Sequence, residues 1–179
     1  MCDDTATVGR VAAPAVSLAS FNAWDRHAAA AFVRPCLDVD RWVDSVVDGR
    51  PFAEVAALAQ VATQAATDLS SAEIEAALAH HPRIGESASG ASREATLSKG
   101  EQSGLHADDE LGRQLQQGNT DYERRFGRVF LIRAAGRSAS EIMATLERRL
   151  GNDDETEERI VGQQLGEIAV LRLRALVTP

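Results

Sequence analysis

The sequence predicts an all-α protein, a single-domain helical bundle of about seven to eight helices. Hydrophobic residues make up 44% of the 179 positions but aromatic residues only 4%. An apolar content dominated by alanine and leucine favours helices packed on helices over a sheet. A chain of this length forms one sizeable core more readily than two.

The charge and cysteine content of the chain limit its partners. With 27 acidic and 19 basic residues the formal net charge is -8, which argues against nucleic acid and against a membrane surface, because both need a basic face. An anionic ligand would therefore need a few well-placed arginines. Two cysteines are too few for a disulfide framework. Asp3 and Asp4 stand where a signal peptide would be positive, so a cytoplasmic protein is expected.

The N-terminal part of the chain predicts a tail and then a helix. Residues 1–16 are small, polar and aperiodic, which is typical of a disordered tail, and the helical domain is expected at 17–179. A helix is predicted from Ser20, with large apolar residues on one side, until Pro35 stops it.

Three more helices are predicted before the middle of the chain. Asp38 is placed to cap the first of them. An alanine-rich helix follows at about 52–66. Ser70 and Glu73 then form a capping-box pattern that opens a helix at 72–79.

The second half of the chain predicts three helices and one irregular segment. A long polar helix is expected at 107–126. The apolar run at 127–136 lies between glycines and predicts either a buried strand or an extended connector whose backbone groups remain free to bind something. Ser138 and Glu141 form a second capping-box pattern. The last helix begins in an acidic run that complements the helix dipole, and it covers about 153–177.

His81 and Glu101 are candidates for acid/base chemistry. Pro82 disfavours the α conformation at His81, so the imidazole should sit rigidly where the preceding helix ends. A Gly/Ser-rich loop at 85–100 then leads to Glu101, which could supply a carboxylate partner. Both residues also have a plainer explanation, because His81 can cap a helix C-terminus and Ser98-x-x-Glu101 is itself a capping-box pattern.

Arg172 is the most informative residue of the last helix. At about 100° per residue it falls within an apolar stripe, whereas Arg174 points nearly opposite. A buried arginine keeps its charge and needs an anion. That anion can be a carboxylate of the protein or a substrate in a pocket, unless the side chain snorkels past the core. The stripe consists of Val161, Leu165, Ile168 and Leu176.

Other catalytic signatures are not found in the sequence. There is no G-x-S-x-G, no P-loop, and no G-x-G-x-x-G after a predicted strand. The spacing of His80, His81 and His106 matches no metal motif, so no metal is expected.

Four motifs together resemble the OHCU decarboxylase family, the enzymes that convert 2-oxo-4-hydroxy-4-carboxy-5-ureidoimidazoline (OHCU) to (S)-allantoin in urate breakdown. Their order and approximate spacing match over about residues 17–177. Taken together in register, the four are fairly specific. The motifs are His81-Pro82, Ser98-x-x-Glu101-Gln102, Tyr122-x-x-x-Phe126-Gly127 with the apolar run after it, and Leu171-Arg172-Leu173.

This resemblance implies a role for each matching position. His81 would be the catalytic histidine, Glu101 its acidic partner and Arg172 the arginine of the site. The family is all-α, needs no cofactor and is commonly a homodimer, for which an exposed Trp24 or Trp42 would supply an interface. Substrate contacts would come from Pro82, Ser98 and Gln102, and from the backbone of Phe130, Leu131, Ile132, Arg133 and Ala134.

Two departures from the family and two alternative functions complete the prediction. The family often has an acidic residue and then leucine after His-Pro, whereas this chain has Arg83-Ile84-Gly85, and the segment after Gln102 is shorter than in many relatives. One alternative is a cofactor-free lyase or mutase acting on another small anionic ring. The other is a non-enzymatic helical binding module in which His81 and Glu101 form a surface capping network.

Overall fold

The computed structural model describes residues 15–79 and 109–179. Within these ranges the chain forms eight α-helices, one 3₁₀ turn and a two-stranded parallel sheet, which confirms the all-α prediction. The strands are β1 (Val16–Ser17) and β2 (Val177–Thr178). The helices are α1 (Leu18–Ala23), α2 (Arg26–Val33), α3 (Asp40–Asp48), α4 (Val55–Ala65), α5 (Ser71–Leu78), α6 (Asp109–Phe126), α7 (Ala139–Leu150) and α8 (Asp154–Leu176).

The helix predicted from Ser20 onward is in fact two helices, α1 and α2. The carboxylate of Asp25 accepts a hydrogen bond from the N–H of Ala28 at 2.8 Å and so begins α2. The capping role predicted for Asp38 is also wrong. Its carboxylate accepts a hydrogen bond from Nη1 of Arg34 at 2.6 Å, and α3 begins without a side-chain cap.

The two predicted capping boxes are present. The hydroxyl of Ser70 accepts from the N–H of Glu73, and the glutamate side chain accepts from the N–H of Ser70 in return. Ser138 and Glu141 repeat the arrangement at the start of α7. These pairs satisfy backbone donors that a helix start would otherwise leave unbonded, and the first of the two helices begins one residue before its predicted start.

The apolar side chains form two clusters. The first joins α1 to α5 with α8, and the second lies between α6 and α7. Trp42 is fully buried in the first cluster, where its indole N–H donates to the carbonyl of Ala62 at 2.9 Å. Trp42 is therefore not available for an interface, contrary to the prediction. Trp24 is half-buried against Phe32, with ring centroids 4.9 Å apart.

The parallel pair of strands joins the two ends of the described chain, and no sequence signal predicted it. Val16 pairs with Val177 next to the end of α8. The predicted loop at 85–100 lies outside the described residues, as do residues 1–14 of the predicted tail. None of the helices described is both long and apolar enough to cross a bilayer.

Candidate active site

The structure describes only part of the predicted site. Arg172 lies in α8, and the apolar run at 130–134 lies between α6 and α7. The remaining predicted site residues lie outside the described residues, so their roles stay predictions. They are His81, Pro82, Ser98, Glu101 and Gln102.

The connector, residues 127–138 between α6 and α7, contains neither helix nor strand. Its side chains alternate between the two apolar clusters. Phe130, Ile132 and Ala134 pack into the second cluster, whereas Leu131 packs into the first. Alternation with a period of two is the geometry of an extended chain. Of the two structures predicted for this run, the extended connector is therefore the one observed.

Two side chains hold one edge of the connector. The carbonyl of Leu131 accepts a hydrogen bond from Nη1 of Arg149 at 2.7 Å. Two residues later, the N–H of Arg133 donates to Oε1 of Gln164 at 2.9 Å. In an extended chain the peptide groups of residues two apart point to the same edge. These two backbone groups are therefore occupied within the protein, so the prediction of free backbone groups does not hold for them.

The opposite edge of the connector carries the peptide groups of Phe130 and Ile132. Among the described residues, none makes a hydrogen bond to the backbone of either one, although the two are only 1% and 4% exposed. Buried backbone N–H and C=O groups are nearly always paired in folded proteins. For this edge, the expectation that its backbone groups bind a ligand stays a prediction.

A buried network fixes Arg149. Its Nε and Nη2 donate to Oε1 of Glu157 at 2.8 and 2.5 Å, and both residues are almost completely buried. The hydroxyl of Tyr122 donates to the same oxygen, and Nδ2 of Asn152 donates to Oε2 at 2.7 Å. Burial raises the pKa of Tyr122 far above its usual value, and the hydrogen bond to Glu157 raises it further. The phenol therefore keeps its proton and remains a donor.

The guanidinium of Arg149 also contacts an aromatic ring of the connector. Its Cζ atom lies 4.8 Å from the ring centroid of Phe130, within the range of a cation–π contact. One side chain therefore contacts the connector through both a carbonyl and a ring. Sequence reasoning did not identify Arg149 or Glu157.

Arg172 lies on the buried stripe of α8, as the sequence predicts. It is 3% exposed, which excludes the alternative of a side chain that snorkels to solvent. Its Nη1 donates to the carbonyl of Pro35 at 3.4 Å, in the 3₁₀ turn that follows α2. Glu157 lies in the first turn of the same helix, about 22 Å along its axis from Arg172, so its carboxylate does not bind this arginine.

A groove of about 1030 Å³ runs along the face of α8 that carries Arg174, not Arg172. Three arginines and four carboxylates line it, and this near balance of charge does not favour a small anion. No three metal-ligating side chains come together in the part of the chain that the structure describes. The fold and the site define a helical protein with a buried arginine on its last helix and an extended connector, one edge of which no described residue hydrogen-bonds.

Comparisons with known proteins identify the family. A model of the OHCU decarboxylase family matches residues 22–174. The chain therefore belongs to the OHCU decarboxylase family, and it is a carboxy-lyase. This membership leaves no support for the alternative of a non-enzymatic binding module. No curated protein sequence matches the chain.

Two solved structures share the fold. A crystal structure of OHCU decarboxylase in the presence of (S)-allantoin is 20% identical, with a TM-score of 0.62 over 78% of this chain and 92% of the other. A crystal structure of (S)-allantoin synthase is 16% identical, with a TM-score of 0.67 over 90% of this chain. The match covers 54% of the synthase chain, so this protein spans about half of its length.

Proposed function

We propose that this protein converts OHCU to (S)-allantoin without a cofactor. His81 acts as the acid/base group, Glu101 orients it, and Arg172 binds the anionic substrate. The observation that carries this proposal is the family match over residues 22–174. We also propose a homodimer, as the resemblance in sequence implies, and the cytoplasmic location stays a prediction.

Two features of the described residues support the proposed chemistry. Arg172 places a permanently charged guanidinium in the interior, and a guanidinium can bind a carboxylate through two parallel N–H donors. The backbone edge at Ile132 offers a donor and an acceptor that no described residue uses.

The reaction has a simple balance of atoms. The bond between the ring and the carboxylate breaks, CO₂ leaves, and the electron pair passes into the ring. The ring nitrogen that receives this electron pair takes a proton from solvent. The hydroxyl loses its proton and becomes the ring carbonyl, while another proton adds to the carbon that bears the ureido group. His81 would move one of these protons, and general acid/base catalysis of this kind typically contributes about 10² to 10⁴ in rate. Delivery from one face gives one enantiomer.

The test is to generate OHCU fresh from urate with uricase and hydroxyisourate hydrolase, add the protein, and follow circular dichroism as allantoin forms. Rapid appearance of the (S)-allantoin signal is expected, and His81→Ala and Glu101→Gln should lose most of it while their far-UV spectra stay unchanged. Slow formation of racemic allantoin by the wild type would contradict the proposal. In that case, a lyase or mutase acting on another small anionic ring would become the better explanation.

Arg172 offers a second test with a matched control on the same helix. Arg172→Lys should lose most of the turnover, because a compact ammonium cannot reproduce the two-pronged contact of a guanidinium. Arg174→Lys makes the same change at an exposed position two residues later and should keep wild-type turnover. Full activity of Arg172→Lys would remove Arg172 from the site.

A further inference from the structure

The connector has no helix or strand pairing of its own, yet its backbone is held at two points. Arg149 from α7 binds the carbonyl of Leu131, and Gln164 from α8 binds the N–H of Arg133. Both contacts lie on the edge opposite the peptide groups of Ile132, which no described residue hydrogen-bonds. Ile132 therefore lies between the two anchors and points its own peptide groups the other way.

We propose that Arg149 and Gln164 are positioning residues of the decarboxylase, which hold the connector so that the backbone edge at Ile132 faces the substrate. This inference rests on the proposed function, in which the connector contacts OHCU. Neither anchoring side chain needs to touch the substrate. Together they fix the position of Ile132, whose backbone groups contact the substrate in this proposal.

The network that holds Arg149 includes Tyr122, which belongs to one of the four family motifs. The hydroxyl of Tyr122 and the amide of Asn152 bind the two oxygens of Glu157, so the carboxylate has one orientation. Glu157 in turn orients the guanidinium of Arg149, which leaves Nη1 directed at the carbonyl of Leu131. Misplacement of a catalytic contact by about 1 Å can cost about 10²-fold in rate. A network that fixes a backbone segment is therefore relevant to turnover.

Gln164 offers the sharper test, because it is half-buried whereas Arg149 is fully buried. Gln164→Leu removes the acceptor for the N–H of Arg133 and keeps a similar volume. Gln164→Glu retains an oxygen in the same place. Gln163→Leu makes the same change at the exposed neighbour and serves as the control.

The experiment measures kcat and KM for freshly generated OHCU, well below the melting temperature of each variant. We expect Gln164→Leu to lose about tenfold or more in kcat, with faster hydrogen exchange at the amide of Arg133. Gln164→Glu should recover most of this loss, and Gln163→Leu should match the wild type. Arg149→Lys should also lower kcat, because an ammonium cannot bind Glu157 twice and reach Leu131 as well.

The outcomes separate this inference from the proposed function. Wild-type kcat in Gln164→Leu would overturn the inference while leaving the function intact. Equal loss in Gln164→Leu and Gln164→Glu would also overturn it, because a lost hydrogen bond to the connector would not explain that result. A wild-type protein that forms no (S)-allantoin would overturn the function, and the inference with it. If Arg149→Lys fails to fold, the comparison of Gln164→Leu with Gln164→Glu tests the inference by itself.

Discussion

Neutralising Glu157 should destabilise the protein strongly. Glu157→Gln keeps the shape of the side chain but leaves the guanidinium of Arg149 buried without a counter-charge, and the side chains of the pair are only 1% and 3% exposed. Removing one partner of a buried ion pair costs about 3–5 kcal/mol. A domain has only about 5–15 kcal/mol of stability in total. For a chain of this size the loss corresponds to a fall of about 6–20 °C in melting temperature.

The reverse substitution and the double variant test the reasoning. Arg149→Met should cost a similar amount, because it leaves the carboxylate of Glu157 buried without its cation. The double variant, with both changes, buries no unpaired charge and should cost less than the sum of the two.

Urea denaturation provides the measurement. It should be followed by tryptophan fluorescence, to which the fully buried Trp42 contributes, and by far-UV circular dichroism. Coincident transitions would support a two-state analysis, and an unchanged m-value would attribute the shift in midpoint to stability. Additive losses within about 0.5 kcal/mol would refute the view that the two charges act as a pair.

Two further predictions follow from helix ends and helix packing. The N–H of Thr156 holds the pKa of the Asp153 carboxyl below its usual value, so the stability from this cap is present above the unfolded pKa of about 4 and is lost as the pH falls through the lower folded pKa. Asp153→Asn keeps the cap, and its difference in melting temperature from the wild type, seen at pH 6, should shrink toward pH 3; a constant difference would contradict this. Gly112→Ala should stabilise by about 1 kcal/mol, because its Cβ meets nothing within 4 Å. Gly166→Ala should destabilise by about 1–3 kcal/mol, because its Cβ would lie 2.9 Å from that of Ala66. Urea midpoints of the two glycine variants that shift in the same direction would contradict these two predictions.

Local signals in the sequence predicted most of the helices because capping is a local interaction. Ser70 and Ser138 cap their helices through glutamates three residues later, and these patterns are visible in the sequence. Asp38 does not cap α3 because the helix has Val39 at its N-cap position, and the carboxylate of Asp38 instead accepts a hydrogen bond from Arg34. The pairing of Val16 with Val177 depends on contact between residues far apart in sequence, so no local pattern could reveal it.

The buried charges were partly predictable by the argument that identified Arg172. Glu157 stands four residues before Val161 and so lies on the same apolar stripe of α8. Arg149 follows Ile142 and Leu146 on the buried stripe of α7. Two opposite charges on the buried stripes of consecutive helices predict an ion pair, so this pairing could have been found from the sequence. The contact of Arg149 with the carbonyl of Leu131 could not, because it depends on the path of an irregular segment.

Helix α8 fixes the position of a connector that has no regular structure. Glu157 and Gln164 are seven residues apart, about 10 Å along the axis and on nearly the same face. One holds the connector through Arg149 and the other holds it directly. Sites built on helices are held more precisely than sites on loops. Because the connector is fixed at two points to one helix, its position is set as precisely as that of the helix. Arg172, two turns after Gln164, lies on the same helix.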